Sequence, residues 1–215
     1  MSSVKGAIQG IDTSEEEGKL RKEVLETLVQ SANQQAEIFM METMNSINGN
    51  EKDNKIPIAS LVDQTKEVRA MTSKSMSDLK KTVGSSVDSF LNGGSDVVKG
   101  IGKLLSGTLT VFLGEGIASS DKIEKYFVLT EGLSIVRFDV KCWYQTVVTK
   151  SIHTQAEKIV CVVGTKSIVD FSKIDLSTFI YFYQKQLRQS GLTAADLENE
   201  IKNVKQIYSE FHEQL

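Results

Sequence analysis

The chain is short of the residues that usually carry chemistry or force local structure. It has one proline, two cysteines, two histidines and one tryptophan in 215 residues. With Pro57 alone, almost nothing interrupts helix interiors, which proline breaks. Cys142 and Cys161 are too few for a disulfide framework, and both stand in apolar, strand-like runs, the setting of buried free thiols. His153 and His212 fall in unrelated segments that no zinc-type ligand spacing joins, so no metal is expected. Pairing either thiol with His153 would make a nucleophile, but nothing in the spacing asks for it. An excess of positive charge is also missing. The 25 basic against 28 acidic side chains leave −3, no basis for holding nucleic acid by bulk electrostatics.

Motifs are absent too. Gly102-Lys103 is followed by Leu104 rather than Ser or Thr, and Val97 stands where a phosphate-binding loop has its first glycine. There is no Gly-x-Ser-x-Gly elbow. The strands carry no aromatic-plus-basic pattern of an RNA-binding sheet, since Asp139 balances Arg137 and Lys141. The opening MSSVKGAIQGIDTSEEE lacks a continuous apolar core, and neither lipidation signals nor Asn-x-Ser/Thr sites are present. Cytoplasmic synthesis is the expectation, with release and conditional membrane association left open. A non-enzymatic protein without a cofactor is expected; an enzyme whose site is assembled from dispersed residues is the outlying alternative.

What the chain does have is a glycine heptad. Residues 93–116 read GGSDVVKGIGKLLSGTLTVFLGEG, with Gly93, Gly100, Gly107 and Gly114 seven apart and Val97, Leu104 and Val111 between them. On a helix these seven positions share one side, drifting by about 20° per heptad. Interior glycine costs about 1 kcal/mol relative to alanine, so the pattern implies close helix–helix packing at the glycines or a segment that changes conformation. A second stripe of Val98, Ile101, Leu105, Leu109 and Phe112, with Leu113, widens the apolar surface. From Ile101 to Ala118 the only charges are Lys103 and Glu115. That is short of the ~20 apolar residues of a membrane span. A buried central helix and an amphipathic, conditionally inserting one both fit.

Periodicity organises the rest of the chain. Ser14 to Glu17 has capping-box spacing, and Leu25, Leu28, Ala32, Ala36, Phe39, Thr43 and Ile47 recur at helical intervals, so a helix is expected over 14–47. Its Met40, Met41 and Met44 suit either core filling or an adaptable surface. Residues 48–56 read as a polar linker. Leu61, Thr65, Val68, Thr72, Met76, Leu79, Val83, Val87 and Phe90 predict a second long helix over 57–92, weakly apolar and ending at Asn92-Gly93-Gly94. The third helix, 95–118, is the glycine stretch. The period then changes to two: Val136, Phe138, Val140, Cys142 and Tyr144 alternate with Arg137, Asp139, Lys141 and Gln145. That gives a half-buried strand, with Trp143 as an anchor on its polar side. Residues 126–130 read as its partner across a turn at Glu131-Gly132. Residues 159–163 and 167–171 read as a hairpin turning at Gly164-Thr165-Lys166. Asp175 or Ser177 caps a helix rich in aromatics at 179–183, closed by Ser190-Gly191. Thr193 to Asp196 opens the last helix, striped by Leu197, Ile201, Val204, Tyr208, Phe211 and Leu215.

The expected fold is therefore α+β but mainly helical. It has long N-terminal amphipathic helices, a central glycine-rich apolar helix, a small antiparallel sheet or β-hairpins over about 123–171, and two C-terminal helices. The segments are a flexible 1–13, a helical region 14–118, a β region 119–174, and helices over 175–215 packing back on the helical region as one domain. Charge follows this division: residues 1–56 hold 6 basic and 10 acidic side chains and residues 57–113 hold 7 and 5, so acidic ends can cover a mildly basic middle. This layout is similar in outline to helical pore-forming proteins; the likeness is one of pattern and carries no motif. It implies a protein that engages a membrane or assembles through helix 95–118. The alternative is a soluble homo-oligomeric scaffold or adaptor with the same helix in its core or interface. The contact residues would be Val97, Val98, Ile101, Leu104, Leu105, Leu109, Val111, Phe112 and Leu113, with close packing at Gly93, Gly100, Gly107 and Gly114. Expected partners are a second copy and, under the first reading, a lipid surface.

Overall fold

The computed structural model describes residues 16–47, 56–71, 96–115, 120–131, 134–147, 156–189 and 192–212. Helix α1 (Glu16–Ile47) comes first, then strand β1 (Ile58–Met71), helix α2 (Asp96–Glu115), and strands β2 (Ser120–Glu131), β3 (Ser134–Thr146) and β4 (Lys158–Val169). Helices α3 (Leu176–Gln189) and α4 (Ala194–His212) close the chain. The strands form one antiparallel sheet in the order β1-β4-β3-β2. The architecture is α+β, but the expectation of a mainly helical protein is overturned. Four helices stand beside a sheet whose strands run 12 to 14 residues.

Two segments account for the difference. The first is the helix expected over 57–92. Residues 58–71 are instead a strand that pairs with β4 from Ile58–Val169 to Met71–Lys158; the remainder of that segment lies outside the described residues. The apparent helical stripe there included Thr65 and Val68, β-branched side chains that suit a pleated surface better than a helix. The deciding force is distant. Residues 159–167 of β4 are buried throughout, and once β3 has paired with one side of that strand its other row of amides and carbonyls needs partners. β1 supplies them.

The second is the hairpin expected at Gly164-Thr165-Lys166. β4 runs straight through these residues, with Gly164 opposite Val140 on one side and Thr65 on the other. A Cβ on Gly164 would stand 3.0 Å from Thr65 Cγ2 and 3.4 Å from Phe138 Cε2. The glycine answers a close approach of side chains, one of the meanings of glycine inside a strand, and not a turn. The strand expected over 136–144 is present within β3, and the partner at 126–130 lies inside β2, paired down to Glu131–Ser134.

The sheet is covered on both faces. Leu25, Val29, Ala32, Ala36 and Phe39 of α1 pack with Val68, Ile159, Cys161 and Val163 of the strands, and Trp143 is half-buried against them. The two alanines let the helix lie close. Val29, rather than Leu28, carries the buried stripe, and Met41 and Met44 are exposed while Met40 is half-buried. Ser14, the expected cap, is outside the described residues.

On the opposite face α2 buries Val98, Ile101, Leu105, Leu109 and Leu113 with Val140, Cys142, Tyr144, Val160 and Val162. Phe112 meets the Tyr144 ring edge-on at 5.1 Å. No basic residue stands in the last turn of α2. Lys158 of β4 serves instead: its Nζ donates to the Leu113 carbonyl at 2.6 Å and lies 4.5 Å from the Tyr144 ring centre. A cation at a helix C-terminus offsets the partial negative charge of its carbonyls.

Helices α3 and α4 close the β2 edge. Gln186 accepts from the Val128 amide at 2.5 Å and donates to the Val128 carbonyl at 2.8 Å, so a side chain takes the place of the next strand. Glu200 of α4 accepts from Thr130 Oγ1 and from Tyr183 Oη, each at 3.1 Å. Asp175 caps α3, accepting from the Thr178 amide at 2.9 Å. Thr193 and Asp196 exchange side-chain-to-amide bonds at the start of α4, a reciprocal cap. Of the aromatic run, Phe179 and Tyr183 are buried and Tyr181 is exposed.

Candidate functional site

The residues singled out on α2 divide between two sides of the helix. The stripe Val98, Ile101, Leu105, Leu109 and Leu113 faces the sheet and is between 0% and 8% exposed. Leu104 and Phe112 are half-buried at its margin. The heptad seam points away. Gly107 is exposed and a Cβ there would meet nothing within 4 Å. Val111 is 53% exposed, and Gly100 is half-buried. Val97 stands in the first turn and Gly114 in the last; Gly93 lies outside the described residues. Among the described residues, then, nothing packs against Gly107. Among the described residues no helix is long and apolar enough to cross a membrane.

Beside α2 runs a cleft of about 470 Å³, between Leu104 and Thr108 of α2, residues 124–127 of β2, and Phe182, Lys185, Gln186 and Gln189 of α3, with Ile56 also lining it. Sequence periodicity could not have found it, because α3 and Ile56 are brought to α2 and β2 from distant parts of the chain.

A third feature lies on β3. The alternation of β3 is real, but its polar side does not face water. Arg137, Asp139 and Lys141 are 3%, 4% and 6% exposed. Arg137 grips Asp139 with two bonds, Nε–Oδ2 at 2.8 Å and Nη2–Oδ1 at 2.7 Å. Its Nη1 donates to the Ile56 carbonyl at 2.5 Å, and the guanidinium lies over the Tyr126 ring. Lys141 Nζ reaches Glu42 of α1 at 2.5 Å and Glu124 at 3.8 Å. On the adjacent strand Thr165 and Ser167 sit opposite Asp139 and Arg137. Both hydroxyls are buried with no hydrogen-bond partner among the described residues. The sequence signal was the strict spacing of Arg137, Asp139 and Lys141, mixed in sign; only the sheet order shows that a helix and a connecting segment lie over them.

The two thiols are on adjacent strands but out of register, Cys142 opposite Val162 and Cys161 opposite Trp143. They therefore point to opposite faces. Both are free and buried. Burial pushes Cys161 up to about 12, and burial, with Cys161 nearby, holds Cys142 well above the usual thiol range. A thiol so far from ionisation is a poor nucleophile at neutral pH. His153 lies outside the described residues. Among the described residues no three His, Cys, Asp or Glu side chains come together as a metal site.

Comparison with known proteins gives no match, whether against family models, curated sequences or solved structures.

Proposed function

We propose that the protein works by association rather than catalysis, pairing the outward seam of α2 with the α2 of a second copy. The supporting observation is the division of that helix. Its large apolar side chains are committed to the sheet, while Gly107 and Val111 stand exposed on the other side. A glycine in a helix interior costs stability, and at Gly107 nothing among the described residues takes up the space it leaves. Small residues at heptad spacing let two helix backbones approach closely. In this reading Gly100, Leu104, Gly107 and Val111 form the middle of the contact.

The test is sedimentation velocity with light scattering across a concentration series. A concentration-dependent dimer or larger species that Gly107→Leu weakens supports the proposal. A monomer at every concentration, or an oligomer indifferent to Gly107→Leu, refutes it. A second reading rests on the exposed Lys99 and Lys103 beside Val111: a basic flank next to an apolar one is what an anionic bilayer surface attracts. Flotation with phosphatidylglycerol liposomes, lost in Val111→Glu, would favour that reading over self-pairing.

A further inference from the structure

We propose that the cleft between α2, the β2 edge and α3 binds a single-chain amphiphile with an anionic head, a medium-chain carboxylate being the simplest case. The reasoning starts from which of its polar groups are already engaged. Thr108 Oγ1 donates to the Leu104 carbonyl at 2.8 Å. Both ends of the Gln186 amide are bound to the backbone of Val128. Glu124 is paired with Lys122 at 3.3 Å and with Lys141.

Apart from Tyr126 and Gln189, what remains along the cleft is apolar side chains and two cations. Ile56 and Phe127 are 1% and 5% exposed, with Leu104 and Phe182 half-buried beside them. Lys125 and Lys185 line the same cleft from β2 and α3, are exposed, and have no ion pair among the described residues. The volume is within the roughly 300–1,000 Å³ of small-molecule sites. A partly apolar slot whose uncommitted charges are two ammonium groups, one from β2 and one from α3, selects an apolar body carrying a negative end. A cationic head would be repelled by both lysines. The site does not depend on pairing of the α2 seam; Leu104 is the one residue that borders both.

The test is isothermal titration of the full chain with dodecanoate, kept below its micellar concentration, and with dodecyltrimethylammonium as the same chain of opposite charge. Saturable one-to-one binding of dodecanoate is expected, with the cation at least tenfold weaker. Lys125→Gln with Lys185→Gln should weaken dodecanoate about tenfold, which corresponds to ~1.4 kcal/mol. Both lysines are exposed, so this variant keeps the fold. Thr108→Phe, which fills the cleft, should abolish binding. The proposal is overturned if dodecanoate gives no saturable heat, if it binds no better than the cation, or if the double lysine variant binds as the parent does. Binding of phosphatidylglycerol vesicles without binding of free dodecanoate would overturn it as well.

Discussion

The two faces of the sheet are held by different chemistry. Under α2 the contact is mainly apolar, Ile101, Leu105, Leu109 and Leu113 against Val140, Cys142, Tyr144, Val160 and Val162, with the Lys158 cation reaching the helix at its last turn. On the α1 side an apolar patch of Ala32, Ala36, Phe39, Cys161 and Val163 gives way along β3 to Lys141 and then, by strand alternation, to the Arg137–Asp139 pair. Hydrophobic burial is non-directional, so the α2 face fixes that a helix packs there more firmly than how. Buried charges are directional. Lys141 must meet Glu42, and Arg137 must meet both Asp139 and the Ile56 carbonyl, so this face sets where α1 and the approach to β1 lie.

The comparison can be broken most sharply at Arg137. Removing one partner of a buried pair leaves the other charge uncompensated, so Arg137→Met should cost about 3–5 kcal/mol, read from urea denaturation. Arg137→Met with Asp139→Leu should recover most of it. If the single variant is as stable as the parent, the two faces do not differ as described. On the apolar face Leu105→Ala should cost about 3 kcal/mol by cavity formation, while Leu105→Met should cost less than about 1.5 kcal/mol. That tolerance of an isosteric change is what separates the face from Arg137.

Gly164→Ala tests the strand that replaced the expected hairpin. The added methyl meets Thr65 and Phe138, and overpacking of this kind costs about 1–3 kcal/mol. Had Gly164 been a turn tip, the change would scarcely matter for packing. Gly107→Ala should go the other way. With nothing near its Cβ, it should raise stability by up to about 1 kcal/mol in thermal unfolding, and weaken association if the seam pairs.

The smallest effect is one of pH. Hydrogen bonds from the Thr178 amide and hydroxyl and the Ser177 hydroxyl hold Asp175 well below the usual carboxylate range. A depressed folded value means that the cap contributes above the ordinary carboxylate pKa of about 3.9 and is lost as pH falls below it. The melting temperatures of the parent and Asp175→Ala should differ at pH 7 and converge as pH falls below about 4. A difference constant with pH would show that the charge of Asp175 is not what the cap depends on.

Much of this fold was legible because it is local. The stripe of α1, the caps at Asp175 and Thr193, and the alternation of β3 each depend on residues a few positions apart, and each is present. Burial of the Val98–Leu113 stripe of α2 follows from the same periodicity. The reading failed where distant strands decide. Residues 58–71 carry a spacing that serves helix or strand, and only the open edge of β4 makes them a strand. Gly164-Thr165-Lys166 has the composition of a turn, and only pairing with β1 and β3 on its two sides keeps it straight. Arg137, Asp139 and Lys141 look like a solvated face until α1 and Ile56 are placed over them. Of the candidate site, the sequence alone determined that α2 has two stripes, one of large apolar residues and one of glycines. Which stripe faces inward, and that a cleft with two uncommitted lysines opens beside it, was decided by the tertiary structure. Periodicity orders residues around one helix, and only packing against other elements tells one side of that helix from the other.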